Sequence, residues 1–251
     1  MKKTLTILLL MTVQINAYPY EDPIVTDRPG YTDTTHTARP GMYIVELGYQ
    51  YAFNNNRVDQ VTQTFPRMEL RTGISSNIEM QLYWNGWNID ATQYQPTETT
   101  VADVSAGGKY RIHKSPKYNL TMFGSLTLPV GTNSSSSNSF DPTLGLLWDY
   151  SLSRPVSLYG EALATALKTD NKRVYEAQLT VAVSFSHTDR LSSFIEFYGS
   201  LPSEDKLDEN AILNGAFLYL LTQDVQLDID AGVGLNDASS NFVGFGLSFR
   251  F

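Results

Sequence analysis

The chain has 251 residues, a length that fits one large domain, with 18 Lys and Arg against 26 Asp and Glu and no Cys. Lack of Cys excludes a disulfide framework, thiolate metal sites and a thiol nucleophile. The acid excess argues against nucleic acid as a partner, because phosphate binding needs clustered cations. The mean hydropathy is negative, yet the chain carries 15 Tyr, 12 Phe and 3 Trp, and that pairing needs explaining.

Residues 1–17 read as a secretory signal: Lys2 and Lys3 precede an apolar run from Leu5 to Val13, and Ala17 offers a small residue for cleavage. The run is far short of the roughly 20 apolar residues of a spanning helix. Removing Lys2 and Lys3 leaves 16 cations against 26 anions, a net charge of −10. Tyr18 to Pro40 is rich in Thr, Pro and Asp and shows no alternation. Two readings stand for residues 18–40: a periplasmic N-terminal segment that tethers, or a partial plug folding into a lumen, with Arg28 and Arg39 meeting wall carboxylates.

From Gly41 to Phe251 the period is two, the signature of strands. Tyr43, Val45, Leu47, Tyr49, Tyr51 and Phe53 share one face. The same apolar phase recurs in eleven further segments: Met68–Ile74, Ile78–Trp84, Ala102–Ile112, Tyr118–Leu128, Leu144–Leu152, Leu158–Ala164, Tyr175–Phe185, Leu191–Leu201, Leu213–Leu221, Val225–Leu235 and Val243–Phe251. Connections alternate. Polar stretches at Asn54–Arg57, Asn88–Thr99, Gly131–Ser139, Lys168–Lys172, Pro202–Glu209 and Asn236–Ser240 read as long. Those near Asn77, Ser115, Arg154, Thr188 and Gln223 read as tight. Long and tight loops on opposite sides are what a membrane imposes on an up-and-down barrel.

No charge falls on the apolar phase of the twelve segments, a strictness that lipid requires and a solvated sheet does not. Tyr43, Trp84, Tyr110, Tyr118, Tyr150 and Tyr219 lie near segment ends, where amphipathic rings meet a membrane interface. The fold expected is therefore all-β: an antiparallel up-and-down transmembrane β-barrel of about 12 strands, with outer-membrane lipid around it.

Two stretches carry a family resemblance. One is Thr26-Asp27-Arg28-Pro29-Gly30-Tyr31-Thr32 with Pro40-Gly41 and Val45-Glu46-Leu47-Gly48-Tyr49. The other is Gln226 to Leu235 followed by Phe242 to Phe251. Together they resemble the two ends of the outer-membrane transporter family of the phenol-degradation meta-pathway. The resemblance spans residues 18–251 in layout and is specific at these ends alone. It implies a bacterial outer-membrane location and a small-molecule permeant, hydrophobic or aromatic. It supplies no site residues. The terminal Phe251 resembles the signal read by the outer-membrane assembly machinery.

On the inner phase the wall acids are Glu46, Glu69, Glu79, Asp103, Asp149, Glu161, Glu176, Glu196, Asp228 and Asp230. The bases are Arg67, Arg71, Lys109, Arg111 and Arg250. These are the candidate lumen-lining residues. They read either as a packed, mutually paired interior or as a hydrated pore mildly favouring cations. Arg67, Glu69 and Arg71 facing Glu79 form the cluster of first interest. No catalytic residue, metal ligand set or cofactor is expected. His36 precedes the first strand, and His113 and His187 sit in tight turns, which disfavours an outer-membrane lipid hydrolase. Asp228 and Asp230 share a face, but a hydrated or Arg-paired ladder explains them. A surface-interaction barrel with an occluded lumen is the other alternative. Gly160, Ala162, Ala164 and Ala166 form a small-residue face that could serve oligomerisation.

Overall fold

The computed structural model describes residues 22–54, 60–92, 95–169, 172–204 and 208–251. The signal read at 1–17 lies outside them, as do Tyr18 to Glu21. Among the described residues the chain forms β1 (Tyr43–Asn54), β2 (Gln60–Ser75), β3 (Ile78–Trp84), β4 (Trp87–Thr92), β5 (Gln95–Val101), β6 (Val104–Lys114) and β7 (Tyr118–Leu128). It continues with β8 (Asp141–Ser153), β9 (Val156–Thr169), β10 (Lys172–Ser186), β11 (Leu191–Pro202), β12 (Asn210–Leu220), β13 (Val225–Gly234) and β14 (Asn241–Arg250).

Each strand pairs antiparallel with its neighbours, and β1 pairs with both β2 and β14. Twelve strands thus close a ring, leaving β4 and β5 as an appended hairpin. Closure removes the unpaired edge that an open sheet would present, the condition for placing backbone in hydrocarbon. At the seam the Tyr43 amide donates to Phe251 O (2.9 Å) and the Phe251 amide to Tyr43 O (3.0 Å).

The packing is inside-out relative to a water-soluble domain. Phe245 is 59% exposed and Ile229 61%, while Glu46 and Glu196 are fully buried. Side chains alternate across a strand, so one face of the ring carries hydrocarbon and the other carries charge. Ile24, Ala38, Met42 and Ile44 form a small apolar cluster in the interior, and Phe123, Leu147, Phe194, Ile212 and Phe242 are buried as well. Exposed Tyr43, Tyr110, Tyr118 and Tyr219 ring the end where the chain makes its tight turns. Exposed Phe65, Trp87, Phe140 and Tyr175 ring the other.

Two expectations need correction. Asn88–Thr99, read as a long polar loop, is largely strand. Trp87 and Ile89 alternate with Asn88 and Asp90, pair with Val101 and Thr99, and prolong the sheet beside Val61–Phe65 of β2. Thr62 Oγ1 donates to Asp90 (2.5 Å) and Thr64 Oγ1 to Asn88 (2.8 Å), so polar side chains that suggested a loop instead tie strand to strand. Second, the Lys168–Lys172 connection is not long: β9 and β10 pair out to Thr169 and Lys172, leaving two residues between them. The alternation of loop lengths is therefore not strict. In addition, β2 changes phase at Phe65-Pro66, where the register against β1 slips between Gly48 and Gln50. Phe65 and Met68 thereby both face outward although they lie an odd number apart, and a bulge of this kind re-aims side chains.

Candidate functional site

Asp22–Pro40 enters the ring at the tight-turn end, rises to an apex at Pro29–Tyr31 and returns to the same end. Its first arm starts where the Ile24 amide donates to Gln223 O (2.7 Å) and Arg250 reaches Asp22 O. The second arm ends where Pro40 bridges Gly73. Pro29-Gly30 supplies the turn, and Asp27 Oδ1 clamps its base by accepting from the Thr34 amide and hydroxyl, each at 2.7 Å.

What seats this loop is a set of wall carboxylates that accept its backbone N–H groups. Glu46 accepts from Asp27 (3.0 Å) and Arg28 (2.8 Å). Glu196 accepts from Tyr31 and Thr32 (2.9 Å each), Glu161 from Asp33 (3.1 Å) and Glu79 from Ala38 (2.5 Å). A loop has no sheet partner for its amides and a buried carboxylate needs donors, so each satisfies the other. Above them the Tyr31 ring stacks on Tyr198 (centroids 4.3 Å) and meets Phe242 edge-on.

Below the apex lies an ionic core. Arg71, fully buried, stands 2.9 Å from Glu79, 3.0 Å from Glu46, 3.1 Å from Asp27 and 3.8 Å from Glu69. Lys109 Nζ lies 2.5 Å from Asp27 and 3.8 Å from Asp33. Burial alone would raise the Asp27 carboxyl, but Arg71 and Lys109 overcome it and hold its pKa at about 2. Asp33, whose carboxylate accepts from Tyr83 OH (2.7 Å), is pushed by burial up to about 6. Oxygens of Asp27, Glu46 and Glu69 come within 4.8 Å of one another. The Arg71 guanidinium already supplies the positive charge among them, so this cluster reads as an ion-pair network and not as a metal site.

The remaining candidates distribute around this core. Arg28 pairs with Asp228 (3.0 Å), whereas Arg39, expected at the wall, pairs with Asp22 of its own segment. Asp149 accepts from Asn119 (2.8 Å) and Thr35. Arg250 pairs with Asp224 (2.5 Å) at the tight-turn rim. Arg67, half-buried, borders a cavity of about 190 Å³ beside Tyr31. Asp230 is buried beside Asp228, and neither of its oxygens has a hydrogen-bond partner among the described residues. Glu176 accepts from Gln178 (2.5 Å), away from the loop. Asp103 precedes β6 and accepts from the Gly131 amide (2.8 Å), which ties it to the 129–140 connection. Arg111 opens onto a different cavity, at the tight-turn end. Asp27, Thr32 and Asp33 belong to the site but escape sequence reasoning, since a loop without periodicity gives no cue to what it touches; Gln81 and Tyr83, on the polar phase of β3, join it by donating to Asp27 and Asp33.

Two larger cavities, about 540 and 530 Å³, flank the loop's arms at the tight-turn end. The first is lined largely by Ser and Thr hydroxyls, the second by several cations.

Close approach of the loop to the wall depends on glycine. A Cβ on Gly48 would stand 2.1 Å from Arg28 Nη1, and one on Gly246 2.5 Å from Arg28 Nε. Gly48→Ala is therefore expected to push Arg28 off Asp228 and weaken seating of the loop by about 1.5–3 kcal/mol, the worth of a charged hydrogen bond. Hydrogen exchange reads this as faster exchange at Arg28, Tyr31 and Thr32; unchanged protection there would refute it.

Solved structures share the architecture. An outer membrane channel from Pseudomonas putida F1 is similar at TM-score 0.66 and 13% identity, covering 89% of this chain and 99% of that one. The NanC porin is similar at TM-score 0.60 and 11% identity, covering 82% and 98%. The KdgM porin is similar at TM-score 0.55 and 8% identity, covering 82% and 99%. At such identities the likeness speaks for the fold. No curated protein matches the chain. Residues 26–251, from the inserted loop to the last strand, match one family model, and the chain belongs to the family described as "Putative MetA-pathway of phenol degradation".

Proposed function

We propose that this chain is a bacterial outer-membrane channel for small molecules, exported by a signal at residues 1–17 and partly closed by Asp22–Pro40. On this reading the tight-turn end faces the periplasm. One observation carries it: a hydrogen-bonded loop is inserted into the lumen and seated on the wall's ion pairs, with cavities left on either side. A barrel needed only as a scaffold has no use for a wall held this far apart. Family membership supports permeants of the phenol-degradation class, hydrophobic or aromatic.

The enzymatic rival has little to build on. His187 Nε2 stands 2.7 Å from Ser193 Oγ, but in an exposed turn, and no carboxylate orients its ring among the described residues. Purified protein in planar bilayers tests the channel reading: discrete current steps are expected. No current from the whole chain or from a variant with a loosened loop would leave the occluded, surface-interaction barrel as the better account.

Phe251 is proposed as the signal to the assembly machinery. It stacks on Tyr43 (5.8 Å) at the seam and stays 39% exposed. Deleting it is expected to lower the amount of folded protein in the outer membrane severalfold while leaving detergent refolding intact. Equal membrane levels would remove that role.

A further inference from the structure

Ten wall acids against five wall bases favour cations by simple count. The structure redistributes that balance. Glu46, Glu79, Glu161 and Glu196 are engaged by loop amides, Asp228 by Arg28, and Glu69 by Gln81 and Arg71. Charges already matched in this way contribute little field to a passing ion, and Asp230, whose oxygens have no hydrogen-bond partner among the described residues, does not line the chamber at the tight-turn end.

The cavity of about 530 Å³ at the tight-turn end is different. Arg39, Arg71, Arg111, Lys114 and Arg250 line it, and its sole lining acid, Asp22, is closed onto Arg39. Arg71 is surrounded by carboxylates and Arg250 is paired with Asp224. Arg111 is not matched: its residue is only 8% exposed, and its guanidinium has no hydrogen bond or ion pair among the described residues. The acids whose field it feels are Glu79 and Asp149, and both are committed elsewhere, to Arg71 and Ala38 and to Asn119 and Thr35. Lys114 lines the same chamber, exposed, and its ammonium likewise has no such partner among the described residues. A guanidinium without a protein partner, in a residue this little exposed, needs water or an anion to meet it. Here the chamber supplies the room, and the guanidinium's fixed fork suits a planar or tetrahedral oxyanion.

We infer that Arg111 and Lys114 form a binding site for a small oxyanion, a carboxylate or a phosphate, at the tight-turn mouth, and that the pore prefers anions. This rests on the channel reading and narrows its permeants to those carrying an anionic headgroup, an aromatic carboxylate being one that meets both. The test uses the whole chain without its signal, in two measurements. Reversal potentials under a KCl gradient should report anion preference. The double variant Arg111→Gln, Lys114→Gln should lower the anion-to-cation permeability ratio severalfold, whereas Lys117→Gln, whose ammonium sits over the Tyr150 ring outside the chamber, should not. In detergent, inorganic phosphate and acetate are titrated separately, so that the stronger binder identifies the headgroup. The double variant should bind it about tenfold more weakly, the loss of a single charged hydrogen bond, and Arg111→Lys should retain part of the affinity. If no current flows at all, the channel reading fails but the titration still decides: binding lost in the double variant upholds the site. Cation preference in the parent, or binding equal in parent and double variant, overturns it.

Discussion

Arg71→Ala is expected to unseat the inserted loop and destabilise the barrel's lower half by about 3–5 kcal/mol, the scale on which removing one partner from a buried ionic cluster acts. The reason is positional. Four carboxylates, Asp27, Glu46, Glu69 and Glu79, lie within 3.8 Å of this one guanidinium, and Arg71 also donates to the loop carbonyls of Val25 (3.2 Å) and His36 (3.2 Å). Lys109, the other cation in the core, lies near Asp27 and Asp33 and supplies no second fork for the three Glu. Without Arg71 those acids must protonate, hydrate or part, and hydration requires the loop to leave. Folded barrel should persist at room temperature, since the backbone hydrogen bonds of the strand ladder remain when this side chain is removed. The altered protein should lose its compact electrophoretic form at a lower temperature and expose the 22–40 region to protease. Arg71→Lys should recover part of the loss, having the charge but not the fork. An Arg71→Ala protein that matched the parent in both assays would show that the cluster does not hold the loop.

Deleting residues 23–39 should give the largest functional change: a severalfold rise in unitary conductance, with the barrel still folding. Twelve strands enclose a lumen between the filled 8-stranded barrels and the aqueous channels of 16 strands, so the width open to ions is set by what occupies it. The loop crosses the middle of that lumen, from Asp27 beside Arg71 to Tyr31 beside Tyr198. Its removal returns Glu161 and Glu196 to water, the medium in which such acids are least costly. Equal conductance in parent and deletion would mean that current passes elsewhere and that the loop is no plug.

The strands were legible because lipid is an exacting solvent. An outward position such as Leu179 or Ile229 tolerates no charge, so alternation is strict and easily read. Where that constraint lapses, reading fails. At Asn88–Thr99 the chain has left the band of strict alternation, and polar side chains there are as compatible with a hairpin as with a loop. At Lys168–Lys172 charged residues end two long strands, and in the sequence they are indistinguishable from a loop. The wall charges were legible as inner-phase residues, but their partners were not. Glu46 meets Asp27, and Arg28 meets Asp228, across separations of 19 and 200 residues, and nothing periodic in Tyr18–Pro40 marks which wall residue each loop amide will find.

The inserted segment begins and ends at one mouth, with Asp22 and Pro40 both beside the tight turns. To vacate its seat it need only slide back the way it came, as a finger leaves a glove; no terminus has to be drawn through the ring. Only Gly41 and Met42 separate Pro40 from the rigid wall at Tyr43, so the withdrawn finger stays on a short leash, and its return is an encounter between two parts of one molecule, independent of how dilute the protein is.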